Sequence, residues 1–483
     1  MTSRDGFQWS ESAGLTKGVP SIGVIEPATN LDGTAAGRFD VIVVGAGYTG
    51  LTAARDAAVA GLKVLLLEGR DRIGGRSWSS NINGYPFEMG GTWVSWGQPH
   101  VWREISRYQM RDQLEISQEY SHGVNEFSLG SLQGRRTMSH HEEDQIIESA
   151  LKKFVNVDGE YGRKIMPFPH SEFAVPQSKT FDTLSAADRL KQIEHSLTPD
   201  EYTGLCGFVL LCSCGTLENT SFYEFLHWWA LCNYSYEYCV EYLMKYKFKG
   251  GQSSFAIKFF QEALDTGNLS YAFNRRVSTI KDEKEVSVES EGETFTALRV
   301  ISAVPLNVLN DISFEPPLPD GKKTAANTGH VNKCAKVHAE CRERELRSWS
   351  GIDYPKNKLA YAFGDGTTPS GNTHIVAFGA SHNHLDPEDD IEKTIQALQT
   401  LVPMSLERVV FHNWAKDEFA KGAWFFPPPM LLTNHLEDMR ASHGRVFFAN
   451  SDWAVGWRSF IDGAIEEGTR AALAVINELK RRQ

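Results

Sequence analysis

The segment Gly45-Ala46-Gly47-Tyr48-Thr49-Gly50, directly behind the apolar run Val41-Ile42-Val43-Val44, restricts this chain more than any other feature. That short apolar run, ending at a glycine turn, reads as a strand. The glycines are needed at the turn, at the closest approach of backbone to a ligand, and where helix crosses strand. A second strand pattern covers Lys63 to Leu67, and an acid, Glu68, follows Gly50 by 18 residues (68 − 50). Strand, glycine turn, helix, strand and acid in this register describe a dinucleotide site. The pyrophosphate lies on backbone N–H groups at a helix N-terminus, and the ribose hydroxyls donate to Glu68.

A second cluster, Arg72-Ile73-Gly74-Gly75-Arg76, begins four residues after Glu68 (72 − 68). Nicotinamide dehydrogenases do not need a glycine pair there. Flavoproteins of the glutathione-reductase-like superfamily do, because the chain passes beneath the same extended dinucleotide. Gly74 and Gly75 allow that approach, and either Arg72 or Arg76 offers a charge-assisted donor. Gly90-Gly91-Thr92-Trp93 follows at a spacing suited to a loop under a flavin. FAD is the expected cofactor.

Further motifs run along nearly the whole chain: RIGGRSWSS (Arg72 to Ser80), EMGGTWV (Glu88 to Val94), GTLENTSFYEFLHWWA (Gly215 to Ala230), YKFKGGQSSFA (Tyr246 to Ala256), KDEFAKGAWFF (Lys416 to Phe426) and ANSDWAVGWRSFIDGAIEEG (Ala449 to Gly468). On these the sequence resembles the flavin-dependent monoamine oxidases, closest to the fungal enzymes that hold FAD without a covalent link. The resemblance implies an α/β fold, with a glutathione-reductase-like, Rossmann-type FAD-binding domain assembled from discontinuous segments and an α+β substrate-binding domain. Its expected division is an N-terminal arm over 1–37, the FAD-binding domain over 38–105, 246–330 and 425–483, and the substrate-binding domain over 106–245 and 331–424. The implied cofactor contacts are Gly45, Gly47, Tyr48, Thr49, Gly50, Glu68, Gly69, Arg70, Gly75, Arg76, Gly90, Gly91, Thr92, Trp93, Val277, Trp424, Ser451, Asp452, Phe460 and Ile461. Asp452 stands where relatives carry a longer glutamate, which shortens its reach toward the cofactor. Animal monoamine oxidases have a cysteine where this chain has Ala423, so no thioether to the flavin is expected.

The resemblance also assigns chemistry. Trp424 and Phe460 match the two aromatic rings that flank the substrate nitrogen, where ring faces tolerate partial positive charge; the plainer alternative is that both are core aromatics. The family lysine that holds a water near the reactive flavin nitrogen has two candidates, Lys333 and Lys336, and Lys336 is preferred because it immediately precedes a strand pattern. Phe208, Leu211, Val240, Met244, Asn332, Ala380 and Ser381, with Trp424 and Phe460, are the implied substrate contacts. Ordinary helix core accounts equally well for Phe208, Leu211 and Met244.

Bulk properties set limits. A length of 483 residues corresponds to about three domains at ~150 residues each. A net charge of −12 supplies no basic face, which argues against nucleic acid as a partner. No apolar stretch reaches the ~18 residues a bilayer-crossing helix needs, so a soluble, intracellular protein is expected. The C-terminal Arg481-Arg482-Gln483 does not fit a peroxisomal SKL-type address, which favours the cytoplasm. Residues 1–37 are polar and glycine-rich and read as an irregular arm. The strand patterns within 331–424 alternate in polarity, which predicts a sheet with one covered face. Seven cysteines, five of them in one apolar helical region, fit neither a disulfide scaffold nor a zinc site and read as buried free thiols.

The expected activity is oxidation of a primary or secondary amine to an imine that hydrolyses to carbonyl and ammonia, with O2 reduced to hydrogen peroxide. A flavin amine dehydrogenase that rejects O2, an L-amino-acid or polyamine oxidase, and a non-catalytic flavin-binding module are the alternatives. No arginine stands out as a carboxylate clamp, which weighs against amino acids. No metal is expected, and a homodimer is carried over by analogy with relatives.

Overall fold

The computed structural model of this chain describes residues 1–31, 38–171 and 173–481. Two sheets organise it. The first has eight strands, centred on Phe39–Val44, which pairs in parallel with Val64–Leu67 on one side and Glu293–Ser302 on the other. Leu269–Ala272 extends it beyond Val64–Leu67, Val446–Phe448 pairs with Glu293–Ser302, and an antiparallel set completes it. Val41, Val43, Val64 and Leu66 point to one packed layer, and Ile42, Val44, Leu65 and Leu67 to another. Burial on both faces is why these strands read as unbroken apolar runs.

Helix Tyr48–Val59 leaves the central strand through the glycine turn, and helix Ile461–Lys480 packs beside it. Gly45 has φ +101°, in the region that favours glycine. A Cβ on Gly50 would lie 1.8 Å from the Gly45 carbonyl oxygen. The helix therefore crosses its own turn at a distance no side chain allows.

The second sheet has nine strands, in which Ala335–Cys341 lies between Thr373–Gly379 and Leu406–Asn413. It differs from the expectation of one covered face. Ala335, Val337 and Ala339 pack with helix Ile391–Leu401 on one side, while the alternating residues Lys336 and His338 bond to Gly90 and Glu88 on the other. Polar residues alternate here because they meet a buried polar layer rather than water. The irregular arm expected for 1–37 is also corrected. Thr2–Ser10 and Gly14–Pro20 form a hairpin whose first strand pairs with Leu406–Asn413 at the sheet edge; residues 32–37 of that arm, like Arg482 and Gln483, lie outside the described residues. Alternation of Phe7 and Trp9, which pack on the apolar layer, drives the hairpin into place.

The region 106–245 is helical as expected, with Pro199–Ser213, Phe222–Leu231 and Tyr236–Leu243 forming the body; it also lends strands Phe127–Ser131 and Gly134–Met138 to the nine-stranded sheet. All seven cysteines are free and buried. No helix among the described residues is long and apolar enough to cross a membrane.

Gly50→Ala is expected to destabilise the protein by about 1–3 kcal/mol, the usual cost of overpacking, although alanine is the better helix former by up to ~1 kcal/mol. Thermal unfolding of the variant beside wild type measures which effect wins.

Candidate active site

The glycine turn, the Gly74-Gly75 pair and the segment Ser451 to Ile461 converge on one cleft of about 1320 Å³, open mouth included. Helix Tyr48–Val59 begins at its wall. Gly47 caps that helix without a side chain, and its first turn holds no acid, so its N–H groups and dipole are available to an anion. A Cβ on Gly75 would stand 3.0 Å from Gly47 Cα, and the two loops meet there as bare backbone. Glu68 also lines the cleft, its carboxylate accepting from the Ala46 N–H (2.6 Å) and the Arg70 N–H (2.8 Å).

Of the residues assigned to the cofactor from sequence, Gly45, Gly47, Tyr48, Thr49, Glu68, Gly69, Arg70, Gly75, Arg76, Gly90, Gly91, Val277, Trp424, Ser451, Phe460 and Ile461 line this cleft. Gly50 stands behind the turn, and Thr92 and Trp93 line a neighbouring cavity instead. Asp452 is fully buried behind Arg76, whose guanidinium donates to it at 2.5 Å and also to Asn450, Ser451 and the Ala423 carbonyl. Asp452 thus orients the arginine that faces the cleft. Of the two arginines offered by the sequence, Arg76 lines the cleft, whereas Arg72 is buried against Asp5 and the Gly75 carbonyl.

Sequence reasoning missed Trp414 and Phe419, which wall the same cleft from the 331–424 region, and the Ala303-Val304-Pro305 turn after strand Glu293–Ser302. Only the fold brings these segments to the glycine loops.

A second cavity, about 820 Å³ with its open mouth included, shares Ser77, Gly90, Gly91, Trp424, Ser459, Phe460 and Ile461 with the first. Trp424 and Phe460 therefore stand at the boundary of the two spaces. Phe208, Leu211 and Met244 line this cavity; Val240, Asn332, Ala380 and Ser381 do not. Asn332 is turned into the backbone, accepting from the Cys334 N–H (2.9 Å), and the Ser381 N–H donates to the Cys214 carbonyl (3.2 Å). Their places are taken by Cys212, Trp228, Leu243 and Phe378. Trp228 lies 4.6 Å from the Phe460 ring and donates its indole N–H to Glu224 (3.1 Å). Phe378 faces Lys336 in sheet register, a pairing that the strand alternation alone could have suggested. Among the described residues lining this cavity there is no Asp, Glu, Lys, Arg or His.

Lys336 reaches the glycine-lined cleft, while Lys333 donates to the Lys421 carbonyl (2.7 Å) and does not line it. The Lys336 Nζ donates to the Gly90 carbonyl (2.7 Å) and Thr92 Oγ1 (2.5 Å) and lies 4.9 Å from the centre of the Trp93 ring. An ammonium has three donors, so one remains. Burial draws this lysine down to about 8, against the opposing pull of Asp365 and Glu88. Burial likewise raises Glu88.

A buried hydrogen-bond chain supports this corner. Trp93 donates to Ser117, Ser117 to Asp365, and Lys247 to the same carboxylate at 2.9 Å. His338 Nε2 meets the Glu88 carbonyl (2.7 Å), which can only accept, so its Nδ1 accepts from His374 Nε2 (2.8 Å). Tyr85 then donates to His374 Nδ1 (3.0 Å). Burial holds both imidazoles far below their ordinary range and therefore neutral, which agrees with that directional chain.

Bare glycine backbone at an uncapped helix N-terminus, an acid at the ribose position and Arg76 beside Ser451 fit an extended flavin dinucleotide. The description "Flavin containing amine oxidoreductase" matches residues 48–476 of the chain. The chain belongs to this family. It is 30% identical over 448 residues to pseudooxynicotine dehydrogenase of a Pseudomonas species, covering 92% of this chain and 87% of that one. It is 26% identical over 481 residues to human flavin-containing amine oxidase B, covering 92% and 87%. Putrescine oxidase bound to putrescine has a TM-score of 0.73 at 23% identity, over 91% of this chain and 99% of that one, a likeness of fold.

Lys247→Met would leave Asp365 buried and unpaired, and is expected to cost about 3–5 kcal/mol. Adding Asp365→Asn should restore part of that loss. Denaturant unfolding of both variants measures it.

Proposed function

We propose that the chain is an FAD-dependent amine oxidase that converts a primary or secondary amine to an imine, with O2 as acceptor and hydrogen peroxide as product; water then releases an aldehyde or ketone and ammonia or a smaller amine. The domain division stated from sequence is part of this reading: 38–105, 246–330 and 425–483 hold FAD, and 106–245 with 331–424 supply the substrate side. The observation that carries it is the apolar, uncharged cavity adjoining the glycine-lined cleft, with Trp424 and Phe460 at the boundary. When bound, FAD supplies the acceptor for a hydride equivalent from the carbon beside nitrogen.

The protein's own part is selection and placement. An ammonium entering a cavity without an anion loses its hydration and gains no partner, so the site favours the neutral amine. The aromatic rings still accommodate partial positive charge as the C–N bond gains double-bond character. Amino acids lack an arginine to receive their carboxylate there, and diamines lack an acid for the second ammonium. A monoamine with an apolar body is the class that fits.

FAD is held without a covalent link in this reading, as in the fungal type. Among the described residues lining the cleft there is no Cys or His, and the Tyr48 hydroxyl is committed to Gln252 (2.9 Å). A second reading, an acceptor other than O2, is favoured by the activity in the name of the 30%-identical pseudooxynicotine dehydrogenase. It predicts anaerobic turnover with a dye and none in air.

Acid precipitation of the yellow protein should leave the pigment in the supernatant; pigment retained by the denatured chain contradicts non-covalent binding. In a peroxide-coupled assay, butylamine or benzylamine should turn over well, and spermidine and an L-amino acid poorly. Turnover should rise with pH as substrate amine loses its proton. The Lys336 side chain is charged below about 8 and neutral above it, so a second inflection near that pH should vanish in Lys336→Met while the substrate's own limb persists. A profile flat from about pH 6 to 9 would count against a neutral-amine site.

A further inference from the structure

The N-terminal hairpin lies outside the stretch that matches the family, which begins at residue 48, yet three of its consecutive residues grip the segment after Glu68. Ser3 Oγ and the Arg4 N–H both donate to the Asp71 carboxylate at 2.8 Å. The Arg4 guanidinium donates to the Gly69 carbonyl at 2.7 Å. Asp5 Oδ2 accepts from Arg70 (3.1 Å) and from Arg72 Nε (3.0 Å), and it is ion-paired with the Arg72 terminal nitrogen at 2.9 Å.

Each contact leads to the cofactor cleft. Arg70 and Gly69 line it, and Asp417 fixes Arg70 from the opposite side with a bidentate pair. Arg72 lies 4.0 Å over the Trp78 ring and donates to the Gly75 carbonyl at 2.9 Å. Gly75 is the residue whose Cα meets Gly47 at the phosphate turn. Asp5, Arg72 and Gly75 thus form a relay from the first strand of the chain to the pyrophosphate loop. Downstream of the hairpin, Ile25 donates to the Asp71 carbonyl, and Ile73 to the Gly23 carbonyl. Burial acts to raise the Asp5 carboxyl, but Arg72 and Arg70 outweigh it and hold it at about 2. Asp5 is therefore an anion near neutral pH.

We infer that this hairpin is part of the cofactor site: Ser3, Arg4 and Asp5 form a clasp that holds the Gly69–Gly75 loop in the shape a dinucleotide needs, and so sets how tightly FAD is retained. The inference rests on the FAD reading above. A loop ordered before binding loses less entropy when the ligand arrives, so the clasp acts as preorganisation. Asp5 is a positioning residue; it touches the loop and not the ligand.

The test is FAD affinity of the full-length, deflavinated protein, read by quenching of flavin fluorescence, together with the melting temperature of the apoprotein. Asp5→Asn keeps the shape and removes the charge; the dissociation constant for FAD is expected to rise roughly tenfold, equivalent to ~1.4 kcal/mol. Asp5→Glu should recover part of the affinity. Arg4→Ala, an exposed side chain with no core role, should raise the constant a few-fold with an unchanged apoprotein melting temperature, and it carries the test if Asp5→Asn fails to fold. Unaltered FAD affinity in Asp5→Asn, or in Arg4→Ala where that variant stands in, would overturn the clasp while leaving the FAD reading intact. Failure of the wild-type apoprotein to take up FAD would instead sink the cofactor reading and the clasp with it.

Discussion

A Cβ on Gly75 would stand 3.0 Å from Gly47 Cα, a tight contact, and one on Gly50 only 1.8 Å from the Gly45 carbonyl oxygen. Those two contacts let a helix start directly above a central parallel strand while a second loop lies flat against its first turn. The result is an anion-receptive surface made of backbone, which no arrangement of larger residues could provide. Glu68 is bonded to that turn at Ala46, and Arg76, which donates to Asn450, lines the same cleft as Ser451, Phe460 and Ile461. The function inferred for the chain depends on this crossing before it depends on any single side chain.

The second organising element is a buried polar layer between the cofactor loops and the nine-stranded sheet. Lys336, His338 and His412 alternate on the sheet face that meets those loops, and Arg70, Asp417, Asp365 and Lys247 complete it. Burying this many charges is costly unless each is paired, and the pairing fixes orientation more than it adds stability. Here it determines which loops touch which strands. It also keeps Lys336 and Trp93 in place beside a cavity that is itself free of charge. Precise loop placement is a consequence of separating polar and apolar layers so sharply, and the neutral-amine selectivity proposed above rests on the same separation.

Much of the glycine-lined cleft was legible in the sequence, because its determinants are local: glycine spacing, a following acid and strand-length apolar runs. The adjoining apolar cavity was less so. Phe208, Leu211 and Met244 line the cavity, but Val240, Asn332, Ala380 and Ser381 do not. Whether a helix or loop residue faces a cavity depends on rotations of a few tens of degrees that periodicity does not resolve. Trp228 could not be distinguished from the other tryptophans until its contact with Phe460 was visible. The N-terminal segment was misread as irregular because its partners, Leu406–Asn413 and the Gly69–Arg72 loop, are remote in sequence.

The sequence by itself determined the class of backbone turn, the kind of ligand such a turn receives, and the family to which the chain belongs. Spacing and residue type suffice for these, since they act over a few consecutive residues. Tertiary structure alone decided that Arg76, not Arg72, faces the cleft, and that a hairpin at the start of the chain contacts a loop some 65 residues later. Those outcomes turn on which buried charge finds a partner across the fold, and pairing between distant segments leaves no local mark.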